Sequence, residues 1–409
     1  MEESTPGAMN LQRTRLPEAG IGGELLTVNL GPQHPSTHGV LRVIANLDGE
    51  VIRRAECEIG YLHTGIEKNL EALKYLQGVT LTDRADYLCP PANNLAYALA
   101  VEKLLGVEAP ARAQALRVIM VELGRIASHL VYLGTSALEL GAMSVFLYCF
   151  RERDAILDMN EEISGVRMMT SYIRPGGVAE DATVRFLELA WEFSERLPAH
   201  IDEYEALLTE NPIWQQRTRG VGILPKALAL ELGTTGPGLR ASGVDWDLRK
   251  TAPYCGYENY DFSSIVLDGC DCFDRYLVRV REMRESNKII RQALQRLPEG
   301  PTTVDDRKLT PPPRTEMETS MEAVIHHFKL FTQGFGPPVG DAYAAIESPR
   351  GELGVYIVSD GSPKPRRVKL RTPSFVNLQA LSPVAEGNMV ADVVAIIGSL
   401  DAVMGDVDR

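Results

Sequence analysis

Between residues 66 and 210 apolar side chains keep returning at every third and fourth position, and that rhythm limits the possible folds more than any other feature of the chain. It is sharpest over 111–138, where Leu116, Ile119, Leu123, Ile126, Leu130 and Leu133 mark one face of a long helix. Segments 92–106, 141–164 and 180–209 carry the same period, with Gly165, Pro175, Gly176 and Gly177 as breaks. Long helices in succession pack as a bundle.

The flanks differ. Residues 1–24 read as a loose polar arm, and Leu25–Leu30 as a short strand. GPQHPSTHG at 31–39 is too rich in proline and glycine to be regular. Val40–Leu47 and Val51–Ile59 alternate as strands joined by Asn-Leu-Asp-Gly, a hairpin signal that pins the 31–39 loop to a rigid frame. Residues 211–313 mix short helices, Gly-rich turns and a charged helix over 274–296, and the prolines at 311–313 form an extended connector. A second hairpin is expected from 353–359 and 366–371, followed by two short helices whose apolar end packs inside. The fold class is therefore α+β: a central bundle of long helices, an N-terminal β-hairpin or sheet and a small C-terminal hairpin. One domain is expected over 25–409, with a β-rich part (25–65), the bundle (66–210), a mixed part (211–313) and a C-terminal α/β part (314–409).

Composition removes several classes of function. The chain has 409 residues, 44% hydrophobic and 24% charged, the mix of a globular protein. A net charge of −13 argues against broad nucleic-acid binding, and no run is long and apolar enough to span a membrane. The first residues lack the apolar core of a secretory signal, so a cytoplasmic location is expected. The six cysteines form no C-x-x-C pair; Cys270 and Cys272 make only C-x-C, and buried free thiols are the plain reading. TTGPGLRASG at 234–243 lacks the Lys-Ser/Thr of a phosphate loop. Nothing suggests that this chain itself holds NAD, FAD or ATP.

Three constellations remain. His34 and His38 stand four apart in the 31–39 loop without two further metal donors nearby, so a turn residue is the plain reading; His38, among Ser36, Thr37 and Gly39, reads alternatively as an imidazole able to share a proton with a ligand carbonyl. TDRADYLCPP (82–91) gathers Asp83, Arg84, Asp86, Tyr87 and Cys89. It reads either as an acidic helix start or as a site whose tyrosine hydroxyl donates to a carbonyl. Glu122, Arg125 and His129 share one face of a helix, as either a solvated charged stripe or a buried relay in which each group satisfies the next.

Seven blocks in order then resemble one family: GPQHPSTHG, ECEIGYLHTGIEKNLE, TDRADYLCPP, SALELGAM, SYIRPGGV, ESPRGELGVYIVSDG and ADVVAIIGSLDAVMGDVDR. They resemble the D-type subunit, also called the 49 kDa-type subunit, of the proton-pumping NADH–quinone oxidoreductase (respiratory complex I), from about residue 28 to the last. That family is similar to the large subunit of nickel–iron hydrogenases. The hydrogenase ligand pattern falls on Asp86, Cys89, Val403 and Asp406, so only one of four thiolates remains and no metal is expected.

The resemblance implies quinone as substrate, flanked by His38 and Tyr87, with one donor for each quinone oxygen. His38 would be oriented by Glu139, where the family usually has Asp. Arg84 and His129 match positions near the terminal 4Fe-4S cluster of the B-type subunit; on the relay reading of the helix face, Glu122 and Arg125 would be the proton-relay residues. The chain would bind no cofactor of its own, with NADH and FMN in other subunits. Partners would be the B-, C- and I-type subunits of the peripheral arm and the H- and A-type subunits of the membrane arm. It would sit peripherally on the cytoplasmic side of the membrane. The alternatives are a membrane-bound hydrogenase relative and a purely structural scaffold.

Overall fold

The computed structural model describes residues 10–14 and 25–409, apart from His38. It is mixed helix and sheet. The N-terminal sheet runs β1 (Asn10–Thr14), β2 (Leu25–Leu30), β3 (Arg42–Asp48) and β4 (Val51–Glu58), all antiparallel neighbours. β1 lies inside the stretch expected to be a loose arm and pairs with β2 from Asn10↔Asn29 to Thr14↔Leu25. Its sequence, NLQRT, carries no apolar alternation to announce it. Along β3 alternate residues are buried, so Val43, Ala45 and Leu47 face inward with Ile52 and Ala55 of β4. That face packs on Leu381, Val384, Ile396, Ile397 and Leu400, which come from the last thirty residues or so of the chain.

The bundle forms as the apolar period requires. Its helices are Pro90–Leu105, Ala111–Glu139, Met143–Ser164, Val184–Leu208 and Cys272–Gln295. Prolines at the first two positions start the first of these. Thr183 caps the fourth by accepting from Phe186 N at 3.0 Å, and Asp271 caps the fifth by accepting from Asp274 N at 2.8 Å. Gly106 and Gly165 close their helices in the left-handed conformation. The Ala111–Glu139 helix is central, with neighbours on several sides, so its polar residues from Arg117 to His129 are buried along with its apolar ones.

Two short strands, β5 (Ile173–Arg174) and β6 (Gly177–Val178), form a hairpin beside it. The C-terminal sheet has three strands rather than the expected two: β7 (Gly340–Ser348), β8 (Gly351–Ser359) and β9 (Arg367–Arg371), in that order. β7 escapes a pattern reading because GDAYAAIES has few β-branched residues, and its pairing with β8 decides its state. The sheet lies on the Pro90–Leu105 helix. Four short helices follow rather than the expected two, Pro373–Leu378, Leu381–Ala385, Val393–Leu400 and Met404–Asp408, and the last two are buried, as the apolar sequence suggested.

Gly124 sets how closely two bundle helices meet. A methyl group there would sit 2.7 Å from Cys89 Sγ and 3.7 Å from the Pro91 ring. Gly124→Ala should lower stability by roughly 1–3 kcal/mol, as overpacking of a dense core does. Chemical denaturation should show much of that loss recovered in a Cys89→Ala, Gly124→Ala double variant.

Candidate functional site

The C-terminal segment is a hub that joins most of the motif blocks. The helix Met404–Asp408 lies on the loop Asp83–Cys89: a methyl on Gly405 would be 2.7 Å from the Ala85 carbonyl oxygen and 3.1 Å from the Tyr87 ring. Asp408 accepts hydrogen bonds from Gly60 N (2.9 Å) and Leu62 N (2.7 Å), while its carbonyl meets His63 Nδ1 at 2.7 Å. The helix Val393–Leu400 carries the turn Pro35–Thr37 on one side. It also carries Glu139, because a methyl on Gly398 would lie 3.1 Å from Glu139 Oε2.

The loop bearing Tyr87 is held at both ends. Asp83 Oδ2 accepts from Ser171 N at 3.1 Å and from Ser171 Oγ at 2.5 Å, which docks the SYIRPGGV block onto TDRADYLCPP. Asp86 accepts from Leu88 N at 3.1 Å and from Arg350 Nη1 at 2.8 Å. The same guanidinium donates to the Asp401 carbonyl (3.1 Å) and carboxylate (3.4 Å). Asn377 anchors the turn that presents it by donating to the Arg350 carbonyl at 3.0 Å. Tyr87 is half-buried, and no described residue hydrogen-bonds its hydroxyl. Burial raises its pKa; Asp86 and Asp401 add to that while Arg350 opposes it, so the phenol is a neutral donor at ordinary pH. Arg84, on the same loop, is exposed and turns its guanidinium back to the Thr80 carbonyl.

Glu139 is half-buried at the end of the central helix, and burial alone pushes its carboxyl up to about 7. His38, expected to pair with it, lies outside the described residues.

The positions matched to hydrogenase ligands do not fit a nickel–iron pair. Cys89 is fully buried against Gly124, and burial with Asp86 nearby pushes its thiol up to about 12, so it stays protonated. Asp86 is committed to Arg350, and Val403 offers no donor. Asp406 accepts from Ser374 N at 3.0 Å. Where soft thiolates are needed, the chain places a guanidinium among carboxylates.

Glu122, Arg125 and His129 are fully buried, which excludes the reading as a solvated stripe. Only the first step of a relay forms among them: Glu122 pairs with Arg125, but Arg125 turns to the Glu347 carbonyl and not to His129. Glu122 binds Arg125 Nε (3.1 Å) and Arg249 Nη1 (3.3 Å) and accepts from Tyr257 (2.7 Å) and Ser286 (2.6 Å). His129 Nε2 instead meets Glu282 Oε2 at 3.0 Å, and its Nδ1 has no partner among the described residues. Glu282 also binds Arg240, which binds Glu347 at 2.7 Å. Burial lowers the His129 pKa more than Glu282 raises it, so the ring is neutral near pH 7. Arg125 links this cluster to the Tyr87 loop's support by donating to the Glu347 carbonyl at 2.6 Å, three residues before Arg350.

Arg240, Arg249, Glu282, Glu347, Arg350 and Asp401 escaped the residue-by-residue reading. Their partners lie far away in sequence: 264 residues separate Arg350 from Asp86 and 153 separate His129 from Glu282. The available signals were that Arg far outnumbers Lys and that ESPRGELG stands out as a block.

Comparison with known proteins gives a consistent result. Residues 139–409 match the family model described as the respiratory-chain NADH dehydrogenase 49 kDa subunit. The chain is 61% identical over 389 residues to the first D-type subunit of NADH-quinone oxidoreductase from Roseiflexus castenholzii, covering 94% of this chain and 93% of that one. It is 58% identical to the second D-type subunit of the Chloroflexus aurantiacus enzyme over 397 residues, with 96% and 97% covered. The figure for the D-type subunit of the Thermus thermophilus enzyme is 57% over 386 residues, with 94% of each chain covered.

The inner cluster yields an acid-stability prediction. Burial alone would raise the Glu122 carboxyl, but Arg125, Arg249, Ser286 and Tyr257 outweigh it and hold it at about 2, against 4.5 when exposed. The folded pKa is depressed, so the stabilisation is present above pH 4.5 and is lost as pH falls toward 2. Glu122→Gln leaves the buried Arg125 without a carboxylate partner among the described residues and Arg249 held chiefly by Asp247, and should cost roughly 3–5 kcal/mol at neutral pH. Unfolding curves should show the gap between variant and parent closing in acid.

Proposed function

Since the chain belongs to the 49 kDa subunit family of respiratory-chain NADH dehydrogenase, we propose that it is the quinone-reducing component of a proton-translocating NADH:quinone oxidoreductase. The observation that carries this reading is the Tyr87 hydroxyl: half-buried, free of hydrogen bonds to described residues, and fixed on a loop braced from both ends. Two-electron reduction of a quinone leaves two oxygens that each need a proton. A neutral phenol held rigidly at one oxygen supplies the donor without reorganisation when charge develops there. His38 serves the other oxygen. The carboxyl of Glu139, half protonated near pH 7, serves that imidazole as its partner; the turn Pro35–Thr37 and Glu139 both rest on the Val393–Leu400 helix, which supports the pairing.

Electrons arrive by tunnelling from the terminal 4Fe-4S cluster of the B-type subunit, while NADH and FMN stay in other subunits. In this reading the exposed Arg84 serves as a cation near that cluster and favours its reduced form. His129 has no surface of its own and acts on the cluster through the field across intervening atoms. It is neutral while the cluster is oxidised, and an added electron nearby raises its pKa and draws in a proton. Glu122 and Arg125 are too firmly ion-paired to exchange protons themselves and instead fix the electrostatic setting of His129. The C- and I-type subunits, with the H- and A-type subunits of the membrane arm, complete the chamber on the cytoplasmic side. Exposed Met321, Phe328 and Val339 provide apolar area for such contacts.

A hydrogenase-like role is disfavoured by the protonated Cys89 and by the residues at 86, 403 and 406. Stoichiometric nickel in the purified chain would reverse that judgement.

Tyr87→Phe keeps the ring and removes the hydroxyl. In the assembled complex it should lower quinone reduction by roughly 10²-fold or more, the scale of a lost general acid, with NADH oxidation by an artificial acceptor retained. Unchanged quinone reduction would favour the scaffold reading. His129→Met should leave the complex assembled but flatten the pH dependence of the cluster's potential in redox titrations; an unaltered slope would remove His129 from the mechanism.

A further inference from the structure

The Arg350 cluster is short of positive charge. Among the described residues, Arg350 and Arg279 face three buried aspartates: Asp86, Asp401 and Asp406. Arg350 holds Asp86 at 2.8 Å and Asp401 at 3.4 Å, and Arg279 reaches Asp401 only at 3.6 Å. No guanidinium among those residues is left for Asp406. That residue is 1% exposed, with one carboxylate oxygen on Ser374 N and the other, Oδ1, on nothing described. A buried carboxylate oxygen without a donor is costly as an anion, and a bound proton removes the cost.

Its neighbours bring it to the Tyr87 loop. Gly405, the residue before it, rests on the Tyr87 ring, and Asp86 is the residue before Tyr87. From the elements packed around it, the charged and titratable groups are Asp86, Tyr87 and Cys89 on the loop and Arg350 from the β7–β8 turn. Asp401 stands on the hub segment itself. Asp408 and Arg409 follow at the end of the same helix, with His63 on the Asp408 carbonyl and Arg409 on the Thr372 hydroxyl.

Resting on the quinone reading above, we propose that Asp406 is a proton-binding site of the Arg350 cluster, and that the proton it holds governs how readily Tyr87 releases its own. In the reacting step the Tyr87 O–H bond breaks and a new O–H bond forms on the anionic oxygen of the reduced quinone, leaving a phenolate. With Asp406 as a neutral acid, Arg350 can stabilise that phenolate. With Asp406 ionised, a further anion competes for the same guanidinium, and the phenolate is disfavoured. Asp406 is a positioning residue: it tunes Tyr87 and does not touch the substrate.

The sign follows from its surroundings. Burial, then the Asp86 charge, pushes Asp406 up to about 6 against the pull of Ser374 and Arg350. It is neutral below that pH and ionised above it, so proton donation by Tyr87 weakens as pH rises through about 6. Asp406→Asn keeps an acceptor for Ser374 N and cannot ionise.

The test uses the intact complex in membranes, with decylubiquinone as acceptor. The ratio of quinone-reduction rates at pH 8 to pH 6 should be about three- to tenfold higher in Asp406→Asn than in the parent, since one unit in a donor's pKa is a factor of ten in its equilibrium. Equal ratios would overturn the proposal. If Tyr87→Phe had already left quinone reduction intact, the quinone reading itself would have failed; if that variant is inactive and the Asp406→Asn ratio matches the parent, only this inference has failed. In infrared spectra of the complex carrying isotope-labelled aspartate, a protonated-acid carbonyl band that fades between pH 5 and 7 in the parent should be missing in Asp406→Asn, which separates it from Asp83, also raised to about 6. Identical spectra of parent and variant would refute the site.

Discussion

One buried guanidinium ties distant parts of the sequence together. Arg350, on the turn between the first two strands of the C-terminal sheet, clamps Asp86 of the Tyr87 loop and Asp401 of the terminal hub at the same time. A buried arginine is tolerable only where carboxylates and carbonyls meet its donors, and here they come from segments far apart in the chain. Remove that ion and the loop, the hub and the sheet turn lose the element that fixes their relative positions.

A second layer of charge lies deeper. The central helix is covered on so many sides that its polar face, from Arg117 to His129, has no water to meet and must be satisfied by protein. Arg249, Arg240, Glu282, Tyr257 and Ser286 supply the partners from distant segments. Such a network stabilises little in net terms, yet it is sensitive to any added charge, because removing or adding one leaves another unpaired in a medium of low dielectric. A neutral His129 held by Glu282 within it is therefore well suited to respond to an electron placed nearby.

Much of the fold was legible because helical periodicity over 111–138 and strand alternation over 43–47 are local signals. The Tyr87 loop was legible as a dense group of reactive side-chain types, and the terminal segment as apolar. What stayed hidden was pairing. Arg350 looks like any arginine until Asp86 is placed against it from 264 residues away. Glu122 looks like part of a solvated stripe until the helix carrying it proves to be central. The strand Gly340–Ser348 shows its state only through its partner, and Asn10–Thr14 only through Leu25–Leu30. Local pattern reports an element's type; burial and long-range charge pairing belong to the assembled whole.

The central claim is that the Tyr87 hydroxyl is kept free for a quinone oxygen. An electron cryomicroscopy map of the intact complex with a quinone-site inhibitor bound tests it most directly. The expected map shows a ring whose carbonyl or equivalent acceptor lies about 2.6–3.2 Å from that hydroxyl, the reach of a proton donor. A ring bound elsewhere, with the Tyr87 hydroxyl bonded to protein, would contradict it.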